Sequence, residues 1–166
     1  MRRQPPPQQM FERSSNYRAN FLKHRKGFFG IYTCAYCGKL VSKHNMEVDH
    51  VFPVHAARTS VKGRAFVLMN SVLSNPLHAS EGVNGVWNMV AACKSCNRSK
   101  SDSGGVWIFR GYIGRKVYPI INLIMLINII VGLYKCFTGD TFSLIKAFGI
   151  LLLYRFISFA IWRILK

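Results

Sequence analysis

Acidic residues are scarce in this chain of 166 residues, which has 6 Asp and Glu against 23 Lys and Arg and a formal net charge of +17. So little negative charge leaves no acidic surface for a cationic partner and points to an anionic one. Residues 1–116 carry 18 basic and 5 acidic residues, net +13, whereas residues 117–166 carry 5 and 1, net +4. The first part is therefore the candidate polyanion-binding region, although positive charge also serves solubility and suits an anionic membrane.

An apolar signal segment is also missing at the start of the sequence, where Met1 and two arginines run into QPPPQQ. We therefore expect a reducing compartment, in which thiols stay free to bind a metal. Residues 1–10 are rich in Pro and Gln and predict a flexible lead. Residues 11–33 mix basic and aromatic side chains and predict a short helical segment, which suits phosphates, a membrane surface or packing on the domain itself.

Four of the five cysteines form two CxxC pairs with sequences CAYC and CKSC. Zinc favours four thiolates at about 2.3 Å, and a two-residue spacer lets one tight turn present both sulfurs of a pair. Disulfides and a redox CxxC are the alternatives. Cys136 lies in an apolar region and is expected to be a spare thiol. The residues expected to hold a structural Zn²⁺ are Cys34, Cys37, Cys93 and Cys96.

The chain between the two pairs contains further polar groups. Cys37 and Cys93 are separated by 55 residues, so one metal ion would close a long loop and stabilise a small core. The loop includes MEVDHVFP, in which Asp49 and His50 are adjacent. Neighbouring residues of a strand point to opposite faces, so a shared site requires the strand to end or bend at this pair.

Three stretches, CAYCGK, EVDHVFP and WNMVAACKSCNRSKSD, resemble the zinc-knuckle form of the HNH endonucleases in order, spacing and residue type over roughly residues 34–102. The resemblance implies an α+β fold of the ββα-metal type with a structural zinc held by four cysteines. It places a two-stranded hairpin ending near Asp49 and His50, then a connecting loop, then a helix beginning near Asn97. It also implies hydrolysis of DNA phosphodiester bonds with Mg²⁺ or another divalent ion.

The resemblance assigns roles by position, with His50 at the first His of the family name, Asn88 at the central Asn and Asn97 at the last His. All three, and Asp49, are then candidate catalytic residues. An imidazole with an ordinary pKa of about 6.5 can take a proton from water at neutral pH, and oxygens of Asp49 and Asn97 suit a divalent ion. The alternatives are a hydrogen-bonded surface pair at Asp49 and His50, a turn residue or loop anchor at Asn88, and a helix cap at Asn97.

Basic residues after Asn97 are candidate nucleic-acid contacts. We expect Arg98 and Lys100 to bind phosphates, with a solvated helix face as the alternative. Two other acids near the site, Glu47 and Asp102, are expected to face outward, because a nuclease keeps unmetallated carboxylates away from its substrate.

Charge disappears beyond Lys116. Residues 117–134 are 18 residues without a charge, which make a helix of about 27 Å and are long enough to span a bilayer. Residues 142–162 are apolar on all sides except for Lys146 and Arg155, whose cost the neighbouring Leu, Ile and Phe can offset. Two transmembrane helices are therefore predicted, with a buried hairpin packed on the domain as the alternative.

The flanks of these segments predict their orientation. Residues 103–116 are predicted to form a basic juxtamembrane linker, and Arg163 and Lys166 close the two-helix region at 117–166. The connecting loop has Lys135 offset by an acid. The positive-inside rule then places both ends, and the nuclease domain, in the cytoplasm.

Together these features predict a membrane-tethered HNH endonuclease acting on DNA, with no small-molecule cofactor. A non-catalytic zinc module that binds DNA on a membrane anchor would need the cysteines and the basic surface but has no use for His50. A zinc head that binds another protein leaves the net charge of +13 on residues 1–116 without a purpose.

Overall fold

The computed structural model describes residues 9–74 and 81–164, so most of the predicted lead at 1–10 lies outside the described residues. Short 3-10 turns lie at Gln9–Phe11 and Val86–Asn88. The helices and strands are α1 (Tyr17–His24), β1 (Ile31–Thr33), β2 (Leu40–Ser42), β3 (Met46–His50), α2 (Val54–Thr59), α3 (Val61–Ser74), β4 (Met89–Cys93), α4 (Lys94–Lys100), α5 (Val106–Phe137) and α6 (Thr141–Ile164).

The strands form two separate antiparallel pairs. β1 pairs with β2 on either side of the CAYC turn. β3 pairs with β4 along its whole length, with Met46 opposite Cys93 and His50 opposite Met89. The predicted hairpin that ends at the Asp-His pair is therefore wrong. β1 and β2 are hydrogen-bonded to each other around the first cysteine turn. The strand that pairs with β3 is therefore β4, which follows the long connection.

The pairing of β3 with β4 creates a ββα unit, because α4 follows β4 directly and packs against both strands. Every residue of β4 is buried. Along β3, Met46, Val48 and His50 are buried whereas Glu47 and Asp49 are partly exposed. This alternation gives β3 one face toward the core and one face that carries the two carboxylates.

The first turns of α5 pack on the domain rather than linking it to the next segment. Trp107 is buried, and its ring meets the Tyr36 ring edge-on with 5.5 Å between centroids. A Cβ atom at Gly114 would lie 1.9 Å from the carbonyl oxygen of Ala35, so this approach of two backbones needs glycine. Most of residues 103–116, for which a juxtamembrane linker was predicted, therefore lie in α5 and pack on the domain. We call the described residues up to 116 the head.

The remainder of α5 and all of α6 form a helical hairpin, which we call the hairpin. Its two helices approach closely where Gly132 faces Ala147. Both helices are long and apolar enough to cross a membrane, with mean hydropathy of 2.1 in α5 and 1.7 in α6 and only 6% of either apolar window buried. The alternative of a hairpin buried against the head is not what the described residues show.

Candidate functional site

The four cysteines of the two CxxC pairs come together. Cys34 and Cys37 flank the turn after β1, Cys93 ends β4, and Cys96 lies in the first turn of α4. All four Sγ atoms lie within 4.8 Å of one another, and those of Cys37 and Cys93 are 3.9 Å apart. Sulfurs bound to zinc at about 2.3 Å form a tetrahedron with edges of about 3.8 Å. The cluster therefore fits a metal ion such as zinc.

The chemistry of the four thiols also favours a cation. Each is a free cysteine, so the disulfide alternative does not apply within the described residues. Hydrogen bonds with Cys37 and Cys93 raise the pKa of the Cys34 thiol, and burial raises it further. A hydrogen bond with Cys34 lowers the pKa of the Cys37 thiol. A divalent ion would favour the thiolate form of all four cysteines, because it attracts thiolates that otherwise repel one another.

Gly38 shapes the turn that carries the first cysteine pair. Its amide donates a hydrogen bond to the carbonyl oxygen of Cys34 at 2.9 Å, and the Cys34 amide donates to the Lys39 carbonyl at 2.8 Å. The φ angle of Gly38 is +72°, and a side chain at this position would meet the ring of Tyr118. Glycine is thus required both by the backbone conformation and by the close passage of α5.

Asp49 connects the two cysteine turns. Its carboxylate accepts a hydrogen bond from the Tyr36 hydroxyl in the first turn and lies 3.2 Å from the Lys100 ammonium on α4. The Asp49 side chain is 12% exposed and that of Lys100 is 1% exposed. Burial raises the pKa of Asp49, and the positive charge of Lys100 opposes that rise. Sequence motifs single out Asp49 but give no sign of Tyr36 as its partner.

The two basic residues predicted to contact phosphate have different surroundings. Arg98 is exposed on α4. Lys100 is buried, donates to the carbonyl oxygen of Ser101 and pairs with Asp49. Lys100 therefore presents no surface to a phosphate in this structure, because its ammonium group neutralises an internal carboxylate.

Asn97 lies within α4 and does not cap it, because the helix begins at Lys94 rather than near Asn97. Its Nδ2 donates to Oε2 of Glu47 at 2.6 Å. Glu47 is partly exposed on the β3 face that points away from the core but is engaged by Asn97, whereas Asp102 is fully on the surface. The period-two alternation of EVDH was the sequence signal that could have placed Glu47 on the same strand face as Asp49.

His50 lies on the opposite face of β3 from Asp49. The strand stays paired with β4 through His50, so it does not bend at the pair and the two side chains do not meet in one site. The imidazole is 5% exposed, its Nε2 lies 3.3 Å from Oδ1 of Asn84, and its ring centroid is 5.2 Å from that of Tyr17. Burial lowers the pKa of His50 to about 4, so the imidazole is neutral at neutral pH.

Residues of the N-terminal segment surround this imidazole. The Arg13 guanidinium lies 4.1 Å from the centroid of the Tyr17 ring, and its positive charge helps to lower the pKa of His50. Asn84 is tied to the same segment because its Nδ2 donates to the carbonyl oxygen of Glu12 at 2.6 Å. Neither Asn84 nor Tyr17 stands in a recognisable motif, so sequence reasoning missed both.

Asn88 is fully buried and anchors the loop after β3. Its Oδ1 accepts from the Phe52 amide at 2.7 Å, and its Nδ2 donates to the carbonyl oxygens of Phe52 at 3.2 Å and Val83 at 2.9 Å. All these partners are backbone groups, so the amide holds the loop and, among the described residues, makes no hydrogen bond to His50.

A catalytic divalent ion held by Asp49 and Asn97 does not fit the site as it is arranged. Asp49 is neutralised by Lys100, and the Asn97 side chain is engaged by Glu47. Within the described part of the chain, the four cysteines are the one group of His, Cys, Asp and Glu residues gathered closely enough to hold a metal.

No family model, curated protein or solved structure matches this chain.

Proposed function

We propose that this chain is an HNH-type endonuclease that hydrolyses DNA phosphodiester bonds and is anchored to a membrane by its hairpin. One observation carries the proposal: the three motif stretches converge on Asp49, which bonds Tyr36 of the first cysteine turn and Lys100 beyond the second. This convergence supports a ββα unit closed by a metal. The net charge of +13 on residues 1–116 supports a polyanionic substrate.

His50 is the proposed general base. Its pKa of about 4 keeps the imidazole in the neutral form that can accept a proton from water, but also makes it a weaker base than an ordinary histidine. Arg13 lies over the Tyr17 ring that packs on His50. The Arg13 guanidinium is exposed and is the proposed contact for a substrate phosphate near this ring.

The HNH resemblance implies a divalent ion, so we propose that cleavage depends on an added divalent ion, which an assay can measure. When bound, such an ion would stabilise charge on the phosphate oxygens. Binding at Asp49 would require the carboxylate to exchange Lys100 for the ion. No step of the reaction is assigned to it, because Asp49 and Asn97 are engaged with other side chains.

A non-catalytic zinc module that binds DNA is the second candidate, and a specific observation favours it. His50, Asp49 and Asn97 each have a partner within the head, namely Asn84, Lys100 and Glu47. These contacts stabilise the folded head, so the presence of the three side chains can be explained without catalysis. This candidate keeps DNA binding and predicts no cleavage under any metal condition.

Cleavage of supercoiled plasmid by the purified full chain separates the two candidates. Wild type is assayed with EDTA and with Mg²⁺ or Mn²⁺ added, while bound zinc is measured in each sample, because EDTA can also remove a structural metal. The proposal expects metal-dependent nicking or linearisation. Intact plasmid with a zinc-loaded, DNA-binding protein would instead establish the non-catalytic module.

Variants at histidine positions test the proposed base. His50→Ala and His50→Gln should lower the cleavage rate at least about a hundredfold, which is the usual contribution of general base catalysis. His44→Ala is the matched control, because His44 is exposed in the turn before β3. Zinc content and DNA affinity should stay near those of wild type. Unchanged cleavage by folded His50→Gln would remove His50 from the mechanism.

The membrane anchor is tested by its topology. In a Cys136→Ser background, Thr138→Cys places a reporter in the loop between α5 and α6, and Arg163→Cys places one near the end of α6. Two spans with a cytoplasmic head expose the loop reporter, but not the α6 reporter, to an impermeant reagent from outside intact cells. The reverse labelling pattern would contradict this orientation, and labelling of neither would contradict the hairpin.

A further inference from the structure

A cavity of about 560 Å³ lies between the head and the first apolar helix. Its size is within the range of about 300–1,000 Å³ that is typical of small-molecule sites. Apolar side chains dominate its lining, and no acidic residue contributes to it. Phe21, Ile31 and Leu40 line it from the head, while Leu123 and Leu126 line it from α5.

The α5 wall of the cavity changes from charged to apolar along the helix. Arg115 lies at one end of the α5 wall and Leu126 at the other, a rise of about 16 Å at the helical repeat of about 1.5 Å per residue. Arg115 precedes the uncharged run 117–134, whereas Leu123 and Leu126 lie inside it. If the run crosses a bilayer, the cavity extends from the charged membrane surface into the hydrocarbon layer.

Three basic residues line the charged end without a carboxylate partner. They are Arg25, Lys26 and Arg115, whereas the one ion pair within residues 9–74 and 81–164 is formed by Lys100 and Asp49. The Nε atom of Arg115 is buried with no hydrogen-bond partner among the described residues. Burial lowers the pKa of Arg115, and repulsion from Arg25 lowers it further. An anion bound here would relieve both the repulsion and the missing hydrogen bond.

The loop between α1 and β1 forms an apolar edge beside these charges. Phe28 is 75% exposed and Phe29 is 89% exposed, and their rings contact each other edge-on. One glycine separates them from Arg25 and Lys26 in the sequence RKGFFG. Exposed aromatic rings next to basic residues are typical of segments that insert into a membrane interface.

We propose that the cavity binds one anionic phospholipid, with its phosphate at Arg25, Lys26 and Arg115 and an acyl chain against Leu123 and Leu126. An anionic phospholipid joins a negative group to long apolar chains, which is the combination that this lining fits. The proposal rests on the membrane anchoring of the proposed function and is independent of nuclease activity.

The test measures lipid binding to the full chain purified in detergent, by native mass spectrometry with phosphatidylglycerol and with phosphatidylcholine of identical acyl chains. Phosphatidylglycerol should bind at least about tenfold more tightly, because its head group carries a net negative charge whereas that of phosphatidylcholine carries none. Inorganic phosphate in large excess should displace little lipid, because it lacks the acyl chain. Equal binding of the two lipids would overturn the proposal, and so would displacement by phosphate alone.

Paired variants locate the site. Arg25→Ala with Lys26→Ala should lose the preference for phosphatidylglycerol about tenfold, whereas Lys23→Ala with Lys43→Ala removes the same charge away from the cavity and should not. Leu126→Trp fills the apolar end and should weaken both lipids, whereas Ile127→Trp, on the same helix but outside the lining, should not. Equal effects within either pair would also overturn the proposal.

A flotation control distinguishes failure of the membrane anchor from failure of the lipid site. Wild type and every variant are mixed with liposomes of either lipid and centrifuged through a density gradient. Wild type that stays at the bottom contradicts the membrane anchor itself. Wild type that floats while showing no preference for phosphatidylglycerol contradicts the lipid site alone.

Discussion

The head and the hairpin place their buried groups differently. Within the described residues, every buried polar or charged side chain lies in the head, and these are His50, Ser71, Asn84, Asn88, Lys100 and Arg110. Beyond residue 117 the buried positions are small, represented by Gly132 and Ala147. The head thus depends on specific hydrogen bonds and contains a cysteine cluster that fits a metal ion, whereas the hairpin depends on close helix contact and on what surrounds it.

This difference shows how one short chain can be stable with a small core. The head has a small core, so burial of its polar motif residues costs free energy that little apolar burial can offset. Asp49 is paired with Lys100, and the four cysteines lie close enough to bind a metal. The hairpin leaves its large apolar side chains exposed, Phe142 at 60% and Leu152 at 69% among them. A bilayer would solvate those side chains, while water would not.

Loss of the metal should break the head and spare the hairpin, which is the largest effect we expect. Cys34→Ser or Cys93→Ser removes one thiolate from a site whose binding is worth about 10–16 kcal/mol in small zinc domains, so the head should unfold. Zinc content and protease resistance of the head in detergent measure this. Cys136→Ser, in the hairpin, is the control and should change neither. Well-folded wild type without metal would contradict the prediction.

Removal of one partner of the buried ion pair should be the next largest effect. Lys100→Met leaves the Asp49 carboxylate buried without its cation, which should cost about 3–5 kcal/mol. Urea unfolding of the head, followed by the fluorescence of Trp87 and Trp107, measures the change. Arg98→Ala, exposed on the same helix, should cost less than about 0.5 kcal/mol.

A second variant tests whether charge or packing causes that loss. Lys100→Met combined with Asp49→Asn removes both charges, so it should recover a large part of the stability lost in Lys100→Met alone. Equal losses in the single and the double variant would show that the long lysine side chain acts by packing and not by neutralising Asp49.

The cysteine cluster could be predicted from the sequence because the spacing of a CxxC pair restricts what its sulfurs can do. Cys34, Cys37, Cys93 and Cys96 meet as expected, and the apolar runs form the two long helices. Both features depend on local pattern. The pairing of β3 with β4 was not predictable in the same way, because it joins residues separated by two helices.

The surroundings of the motif residues could not be predicted, because partners come from distant parts of the chain. His50 meets Asn84 and Tyr17, and Asp49 meets Tyr36, yet none of these partners is marked by spacing or composition. Strand alternation did give one usable signal. It separates Asp49 from His50 unless the strand bends, and the strand does not bend.

Acid should weaken the head through His50. Its pKa is lowered from 6.5 to about 4 on folding, so the unfolded chain binds more protons between these values. Stability is therefore complete above pH 6.5 and is lost as the pH falls toward 4, by about 3 kcal/mol. Urea unfolding across this range, compared between wild type and His50→Gln, isolates the contribution.

His50→Gln should lack the loss of stability between pH 6.5 and 4. His44→Gln, at an exposed position, should retain it. Parallel pH curves for wild type and His50→Gln would mean that the imidazole is solvated in the folded head. The hairpin contains no histidine, so its helical signal should not change over the same range.

The smallest expected effect lies at the seam where the head meets α5. Gly114→Ala places a Cβ 1.9 Å from the backbone oxygen of Ala35, which can be relieved only if α5 shifts. Overpacking of this kind costs about 1–3 kcal/mol. Gly149→Ala is the matched control, because nothing lies within 4 Å of a Cβ there, and alanine is favoured over glycine in a helix by up to about 1 kcal/mol. Urea unfolding of the head should therefore distinguish the two variants. If Gly114→Ala left the head as stable as Gly149→Ala does, α5 would not be docked on the first cysteine turn, and the head and the hairpin would be independent units joined by a linker.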